Sequence, residues 1–140
     1  GLIINKPTSF KFTSLLAERN LDYYGPEHVY KGGPVNEQAI VLLHEDNWYS
    51  SNTIQTSRGL AISSDVHMLE KMSLDNKPAE WRSFAGISAW SPGQLDAEMS
   101  SSKGWLTCDA DPSIVFAKDG ERQWNKALQQ CVDQTINQYI

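Results

Sequence analysis

The sequence lacks long apolar runs and clustered bases, and each absence excludes a class of protein. The longest aliphatic run covers only residues 39–43, whereas a membrane-spanning helix needs about 20 apolar residues. Lys and Arg number 12 against 17 Asp and Glu, which gives a net charge of -5, and the bases are scattered along the chain. We therefore expect no membrane segment and no direct binding to DNA, because DNA binding requires a basic face that releases counterions.

Cysteine and histidine are also scarce. Cys108 and Cys131 have no C-x-x-C spacing and no histidine beside them, so we interpret them as reduced core residues and expect a cytoplasmic protein. The histidines His28, His44 and His67 stand 16 and 23 residues apart, which is not the spacing of a metal site. The sequence predicts neither a metal nor a cofactor.

The composition that remains is typical of a globular domain, with 40% hydrophobic and 21% charged residues over 140 positions. Short apolar runs alternate with helical patterns, which predicts one α/β or α+β domain over residues 1–140. We expect strands at residues 1–5, 28–31, 39–43, 53–56, 60–62, 82–90 and 105–108.

Helix starts are marked by capping residues. A short helix is expected after Thr8 or Ser9, a second after Ser64, and a third after Asp111, with Pro112 at its first helical position. The last helix has the clearest pattern, because its apolar residues recur at helical spacing and predict a stripe that faces the core. The stripe consists of Trp124, Ala127, Leu128 and Cys131.

Residues 89–99 contain a further helix start. Ser91 at the N-cap, Pro92 at the first helical position and Gln94 three residues after the cap form the pattern of a capping box, and Trp90 with Leu95 would form a hydrophobic staple. Gly93 does not fit, because glycine inside a helix costs about 1 kcal/mol relative to alanine. We expect either the chain's own backbone or a ligand to approach this glycine closely.

Two other segments contain partial motifs. Gly32 and Gly33 could present backbone N–H groups to an anion, but the surrounding residues lack the Lys and Ser/Thr of a P-loop, and a tight turn explains them as well. Ser88 follows Gly86 as in a nucleophile elbow, yet Trp90 occupies the place where that motif needs a small residue.

Several strings in order along the chain resemble the bacterial YqgE/AlgH family. They are Gly1-Leu2-Ile3-Ile4-Asn5-Lys6-Pro7, Gly32-Gly33-Pro34-Val35, the Leu43-His44 strand end, Ser63-Ser64-Asp65-Val66, the segment from Gly86 through Trp90-x-x-Gly93-Gln94-Leu95-x-x-Glu98, and Trp105-Leu106-Thr107. The resemblance implies a compact α/β fold with a branched, partly barrel-like sheet surrounded by helices, in a cytoplasmic bacterial protein. One family member is named as a regulator of alginate synthesis, and the family offers no catalytic or cofactor residues to carry over.

The chain departs from the family pattern in two places. Family members carry a segment ahead of the Gly-Leu-Ile-Ile-Asn strand, so we expect that segment to be missing here and the first strand to lack a neighbour. Glu45 and Asp46 follow His44 where the family commonly has a proline, which puts a role for that loop in doubt.

The leading hypothesis is a non-enzymatic binding or regulatory domain that acts through a protein partner or a small ligand. Its candidate ligand-binding residues are Gly32, Gly33, His44, Gly93, Gln94 and Glu98. The alternative is a hydrolase-like enzyme with a site near His44, Ser88, Gln94 and Glu98. A third hypothesis is an interaction protein that uses Trp48, Tyr49 or Trp81 as an exposed apolar patch.

Overall fold

The computed structural model describes residues 1–101, 104–117 and 119–138, and within them one mixed sheet of six strands and five helices. The strands are β1 (Pro7–Lys11), β2 (His28–Lys31), β3 (Val35–Glu45), β4 (Ile54–Ser57), β5 (Leu60–Ser63) and β6 (Trp81–Ile87). The helices are α1 (Phe12–Ala17), α2 (Val66–Ser73), α3 (Gln94–Ser100), α4 (Pro112–Ala117) and α5 (Gly120–Asn137).

The sheet has the strand order β1-β2-β6-β3-β5-β4. β2 and β6 are parallel, and the other neighbouring pairs are antiparallel. β1 and β4 form the two edges, so the sheet of the described residues is open. The expected α+β class is confirmed, whereas the barrel-like closure implied by the resemblance is not seen in this sheet.

The two faces of the sheet carry separate hydrophobic cores. Successive side chains of a strand point to opposite faces, and β3 accordingly places Leu42 in one core and Val41 and Leu43 in the other. α1 and α2 cover the first face with residues such as Phe12 and Met68. The second face packs against Val115 and Phe116 of α4 and against Leu2 and Ile4.

Most predicted strands agree with the structure, and two do not. The prediction for residues 28–31 coincides with β2, and those for 39–43, 53–56, 60–62 and 82–90 overlap β3 to β6. Residues 1–5 and 105–108 do not form regular strands. Residues 1–5 nevertheless lie against the sheet, because the Ile3 N–H donates to Gly32 O at 2.8 Å and the Ser88 N–H donates to Gly1 O at 2.8 Å.

The structure places the starts of α1 and α2 at residues other than the predicted ones. Asp65, not Ser64, caps α2, since its carboxylate accepts a hydrogen bond from the Met68 N–H at 2.7 Å. α1 begins after Lys11, and the segment with Thr8 and Ser9 belongs to β1. Within the described ranges, no helix is both long and apolar enough to cross a membrane.

In the C-terminal part of the chain, the structure differs from two predictions, and both differences matter for function. Cys108 and Cys131 form a disulfide bond, with their Cα atoms 5.0 Å apart, so the prediction of two reduced cysteines is wrong. The predicted core stripe of α5 is only partly covered, because Cys131 is buried and Ala127 and Leu128 are half-buried, whereas Trp124 is 57% exposed. α5 instead attaches to the sheet through another side, where Gln123 is buried against Arg82.

Candidate functional site

Gly32 and Gly33 form a close crossing of the chain with itself. The carbonyl oxygen of Gly86 stands where a Cβ of Gly32 would lie, and the backbone of Ile87 and Ser88 does the same for Gly33. Gly86 has a φ of +80° and faces Gly33 O. The two glycines therefore allow β2 and β6 to approach closely, and the Gly32 N–H donates to Ala85 O at 3.0 Å.

His44 lies at the buried end of a chain of hydrogen bonds that becomes partly exposed towards Asp65. It is fully buried, and its Nε2 lies 2.8 Å from the hydroxyl of Ser63. Ser63 Oγ is 2.7 Å from Thr53 Oγ1, which accepts a hydrogen bond from the Ser50 N–H at 2.7 Å. The Ser50 hydroxyl then donates to Asp65 at 2.5 Å.

The geometry fixes the direction of these hydrogen bonds. His44 Nδ1 lies 2.6 Å from the carbonyl oxygen of Glu45, which can only accept, so Nδ1 carries the proton. With a neutral ring, Nε2 accepts from Ser63, and Ser63 in turn accepts from Thr53. Burial lowers the pKa of His44, against the opposing effects of the Glu45 carbonyl and Asp46.

The His44–Ser63 pair resembles a base beside a nucleophile, but it is closed to substrates. Ser63 is 1% exposed and His44 is 0% exposed, so no carbonyl group of a substrate can reach the Ser63 oxygen. We interpret the chain from His44 to Asp65 as a structural connection between β3, β5 and the start of α2. Sequence analysis missed Ser63 and Thr53 because their contacts with His44 depend on strand pairing.

The residues of the hydrolase hypothesis do not meet in one site. His44 pairs with Trp81 at the beginning of β6, whereas Ser88 follows the end of that strand. Seven residues of strand span about 23 Å, which is far beyond hydrogen-bonding distance. The Ser88 hydroxyl donates instead to Gly32 O at 3.2 Å.

Gly93 begins α3 rather than lying inside it. Its φ is +79°, and nothing lies within 4 Å of the position that a Cβ would take. The expected approach of the chain's own backbone is therefore wrong, and the left-handed backbone explains the glycine. Ser91 is not the N-cap, although its N–H does donate to Gln94 Oε1 at 2.9 Å, which is one half of the predicted capping box.

Glu98 connects α3 to a group of tryptophans. Its carboxylate accepts hydrogen bonds from Trp90 Nε1 at 3.4 Å and from Gln94 Nε2 at 3.2 Å. The ring of Trp90 stands edge-on to that of Trp105, with ring centres 6.3 Å apart. Gln94 and Glu98 thus lie beside an aromatic surface that the sequence patterns did not predict.

We call this surface the tryptophan groove. It is a cleft of about 290 Å³ between α5 and the segment that precedes Cys108. Trp105, Leu106 and Trp124 are 47%, 57% and 57% exposed. The groove is lined by Gly104, Trp105, Leu106, Trp124, Ala127, Leu128 and Cys131.

Covalent and polar contacts hold the two walls of the groove together. The Cys108–Cys131 disulfide joins the segment to the middle of α5. Next to it, the Asp109 N–H donates to Gln134 Oε1 at 3.0 Å, and Gln134 Nε2 donates to the Asp109 carboxylate at 2.7 Å. These contacts preorganise an apolar surface that remains open to solvent.

A second, polar cavity of about 440 Å³ lies between β2, β6 and α4. We call it the Arg82 cavity, and its lining includes Glu27, His28, Tyr30, Asp119 and Arg122 in addition to Arg82. The Arg82 guanidinium stacks on Tyr30 at 4.5 Å and donates to Gln123 Oε1 at 2.7 Å. Burial lowers the pKa of Arg82, and the nearby Tyr30, Asp119 and Glu80 oppose this shift.

The three aromatic candidates for an exposed apolar patch differ in their exposure. Trp48 is buried in the first core and Trp81 packs against it, whereas Tyr49 is 71% exposed. In the described part of the chain, no group of three or more His, Cys, Asp or Glu residues is arranged to hold a metal ion.

Comparisons with known proteins agree on one family. Residues 1–135 match the AlgH-like family. A UPF0301 protein of Ruegeria pomeroyi is 35% identical over 91% of this chain and 72% of its own length. The solution structure of the AlgH protein from Pseudomonas aeruginosa superposes with a TM-score of 0.76 and 30% identity, over 93% of this chain and 70% of that one. A crystal structure of a Corynebacterium diphtheriae protein shares the fold, with a TM-score of 0.69 and 21% identity over 90% and 67% of the two chains.

Proposed function

This chain belongs to the AlgH-like family, and we propose that it is a binding domain that docks a protein partner on the tryptophan groove. The observation that carries the proposal is the exposure of Trp105, Leu106 and Trp124 in one preformed cleft. Tryptophan is enriched among the residues that dominate binding energy at protein interfaces. Contiguous apolar surface on a soluble domain commonly marks an interaction site.

The construction of the groove supports this function. α5 has an amphipathic sequence whose apolar side would ordinarily be buried, yet Trp124 stays exposed. The disulfide and the Asp109–Gln134 pair hold the opposite wall in place. A rigid apolar surface loses little conformational entropy on binding, which favours affinity.

The proposed role is regulatory and does not involve direct binding of the domain to DNA. The net charge is -5, so a phosphate backbone would be repelled by the domain as a whole. Any effect on transcription would then pass through the bound protein. A gel-shift assay in which the purified chain binds DNA tightly and selectively at physiological salt would contradict this part of the proposal.

The test is a capture experiment with matched variants of the full chain. Wild type, the double variant W105A/W124A and the control Y49A are immobilised, because Tyr49 is an exposed aromatic residue outside the groove. We expect one or more proteins to bind wild type and Y49A but not W105A/W124A, and each is then measured by calorimetry with purified partner. The absence of any protein whose binding requires the two tryptophans would contradict the proposal.

A small polar ligand in the Arg82 cavity is the second candidate. The specific observation is that side chains of both charges, Arg82, Arg122, Glu27 and Asp119, line one cavity of about 440 Å³. Thermal-shift screening of zwitterionic and anionic metabolites tests it, since a ligand that binds the native state raises the melting temperature. The shift should disappear in R122Q, and a panel that shifts neither protein would remove this candidate.

The cytoplasmic location remains a prediction. The Cys108–Cys131 disulfide does not support it, because the cytosol keeps most thiols reduced. Trapping free thiols by alkylation at the moment of cell lysis tests whether Cys108 and Cys131 are joined in cells.

A further inference from the structure

We propose that the partner segment in the tryptophan groove is a cationic amphipathic helix. This inference rests on the proposed function and adds the chemistry of the partner. The apolar lining, made mainly by Trp105, Leu106, Trp124 and Leu128, fits the apolar side of such a helix. Binding of an amphipathic helix in an apolar groove is a common mode of peptide recognition.

The sign of the partner's charge follows from the rim of the groove. Glu121 lies three residues before Trp124 on α5, so the two side chains share one side of the helix. Glu98 lies next to Trp90, which contacts Trp105. Asp109 directly follows Cys108 of the disulfide, and its carboxylate accepts a hydrogen bond from Gln134 Nε2 at 2.7 Å.

The nearest described bases of α5 point away from the groove. Arg122 and Lys126 each stand two residues from Trp124, a spacing that does not place side chains together on a helix. Arg122 lines the Arg82 cavity, and Lys126 lies with Asp133 along another part of α5. Among the described residues, Glu98 and Glu121, which these contacts and spacings place beside the groove, are both acidic.

The chemistry of the groove selects a basic helix over other occupants. Lysine or arginine side chains can pair with the rim carboxylates, and their cationic ends are attracted to the faces of tryptophan rings. Nucleic acid would place phosphates against the same carboxylates. A second copy of this chain, docked groove to groove, would bring like charges together, and such contacts are unfavourable.

The experiment uses two synthetic helical peptides of about 18 residues, above the length of about 12–15 residues below which isolated helices are marginal in water. One has leucine on one side and lysine on the other, and the second has glutamate in place of lysine. Each is labelled and titrated with the full chain, and binding is followed by fluorescence anisotropy at low and high salt. We expect the lysine helix to bind at least about tenfold more tightly than the glutamate helix.

Variants separate the groove from the overall charge of the chain. W124A should weaken binding of the lysine helix about tenfold, as expected for loss of a central interface tryptophan. E98Q/E121Q should weaken it severalfold at low salt, and the effect should shrink as salt screens the charges. The matched control E18Q/E70Q removes the same charge from exposed sites on α2 and after α1, and should leave the affinity within about twofold.

The outcomes distinguish this inference from the proposed function. Equal binding of both helices, lost in W124A, would overturn the assigned charge and leave the docking surface intact. Failure of the lysine helix to bind, or binding unchanged in W124A and equally weakened by E18Q/E70Q, would overturn the inference. A dimer in sedimentation that W124A dissociates would assign the groove to a second copy of the chain. The proposed function itself fails only if the capture experiment finds no partner that needs Trp105 and Trp124.

Discussion

His44 accepts a hydrogen bond from Ser63 inside the sheet, with 2.8 Å between Nε2 and the hydroxyl oxygen. The two residues belong to adjacent antiparallel strands, where Leu42 pairs with Ser63 and His44 pairs with Ala61. Ser63 is therefore the diagonal neighbour of His44 on the same side of the sheet. A bond of this kind joins two strands at a position that water does not reach.

Replacement of Ser63 by alanine tests this bond. S63A leaves His44 Nε2 buried without its donor and removes the 2.7 Å hydrogen bond of the Thr53 hydroxyl, so we expect the free energy of unfolding to fall by about 1–3 kcal/mol. S83A is the matched control, because the Ser83 hydroxyl is buried and has no hydrogen-bond partner. That variant should be neutral or slightly more stable than wild type in urea unfolding, and a large loss in S83A with none in S63A would contradict the assignment.

The neutral state of His44 predicts an acid-sensitive stability. Its pKa in the folded protein lies below the ordinary value of 6.5, so below about pH 6.5 the unfolded chain binds a proton that the folded chain does not. The contribution of His44 to the free energy of unfolding should therefore be fully present above pH 7. It should decrease as the pH falls, by at most about 1.4 kcal/mol per pH unit for this one group. The measurement is urea unfolding at pH 7.5 and 5.5, with H44Q as comparison.

H44Q isolates the contribution of the histidine from that of the other titrating groups. We expect the variant to be less stable than wild type at pH 7.5, because its side chain does not reproduce both hydrogen bonds of the imidazole. The difference between the two proteins should shrink at pH 5.5. A constant difference across this range would mean that His44 does not titrate differently in the folded and unfolded chains.

The left-handed backbone conformation of Gly93 predicts that different replacements lower the stability by different amounts. A φ of +79° disfavours residues with a Cβ, yet no atom lies near the position of that Cβ. G93A should therefore cost about 1–2 kcal/mol of stability, and G93N should cost less, because asparagine tolerates this conformation. G86A provides the contrast, since Gly86 combines a φ of +80° with close contact to Gly33 O. It should be far more destabilising, and equal losses in G93A and G86A would contradict the distinction.

Local sequence features predicted much of the fold. β2 is bounded by a Gly-Pro break before it and by glycines after it, and its predicted range matches the structure. The central strand β3 was recognised by apolar residues on both sides, and it does contribute to both cores. The pair Asp111-Pro112 correctly marked the start of α4. These features act over a few residues, so a single sequence reveals them.

The tryptophan groove could not be predicted in the same way. Periodicity identifies the apolar side of α5 but does not tell whether another element covers it, and Trp124 is exposed because its neighbours leave the cleft open. The contact between Cys108 and Cys131 spans 23 residues and depends on how the intervening segment runs. The irregular segment around Trp105 was predicted as a strand, because apolar residues in a short run do not distinguish a strand from a loop that packs on a helix.

The disulfide gives the last prediction, which concerns the same groove. A cross-link between cysteines 23 residues apart restricts the unfolded chain and is expected to stabilise the fold by about 3 kcal/mol. Reduction with dithiothreitol should therefore lower the unfolding midpoint in urea, while C108S/C131S, which is already uncross-linked, should not respond to the reductant. Because the bond fixes one wall of the groove, reduction should also change the fluorescence of the tryptophans that line it. W105F/W124F removes those two reporters, and a fluorescence change that persists in this variant would show that the effect of reduction extends beyond the groove.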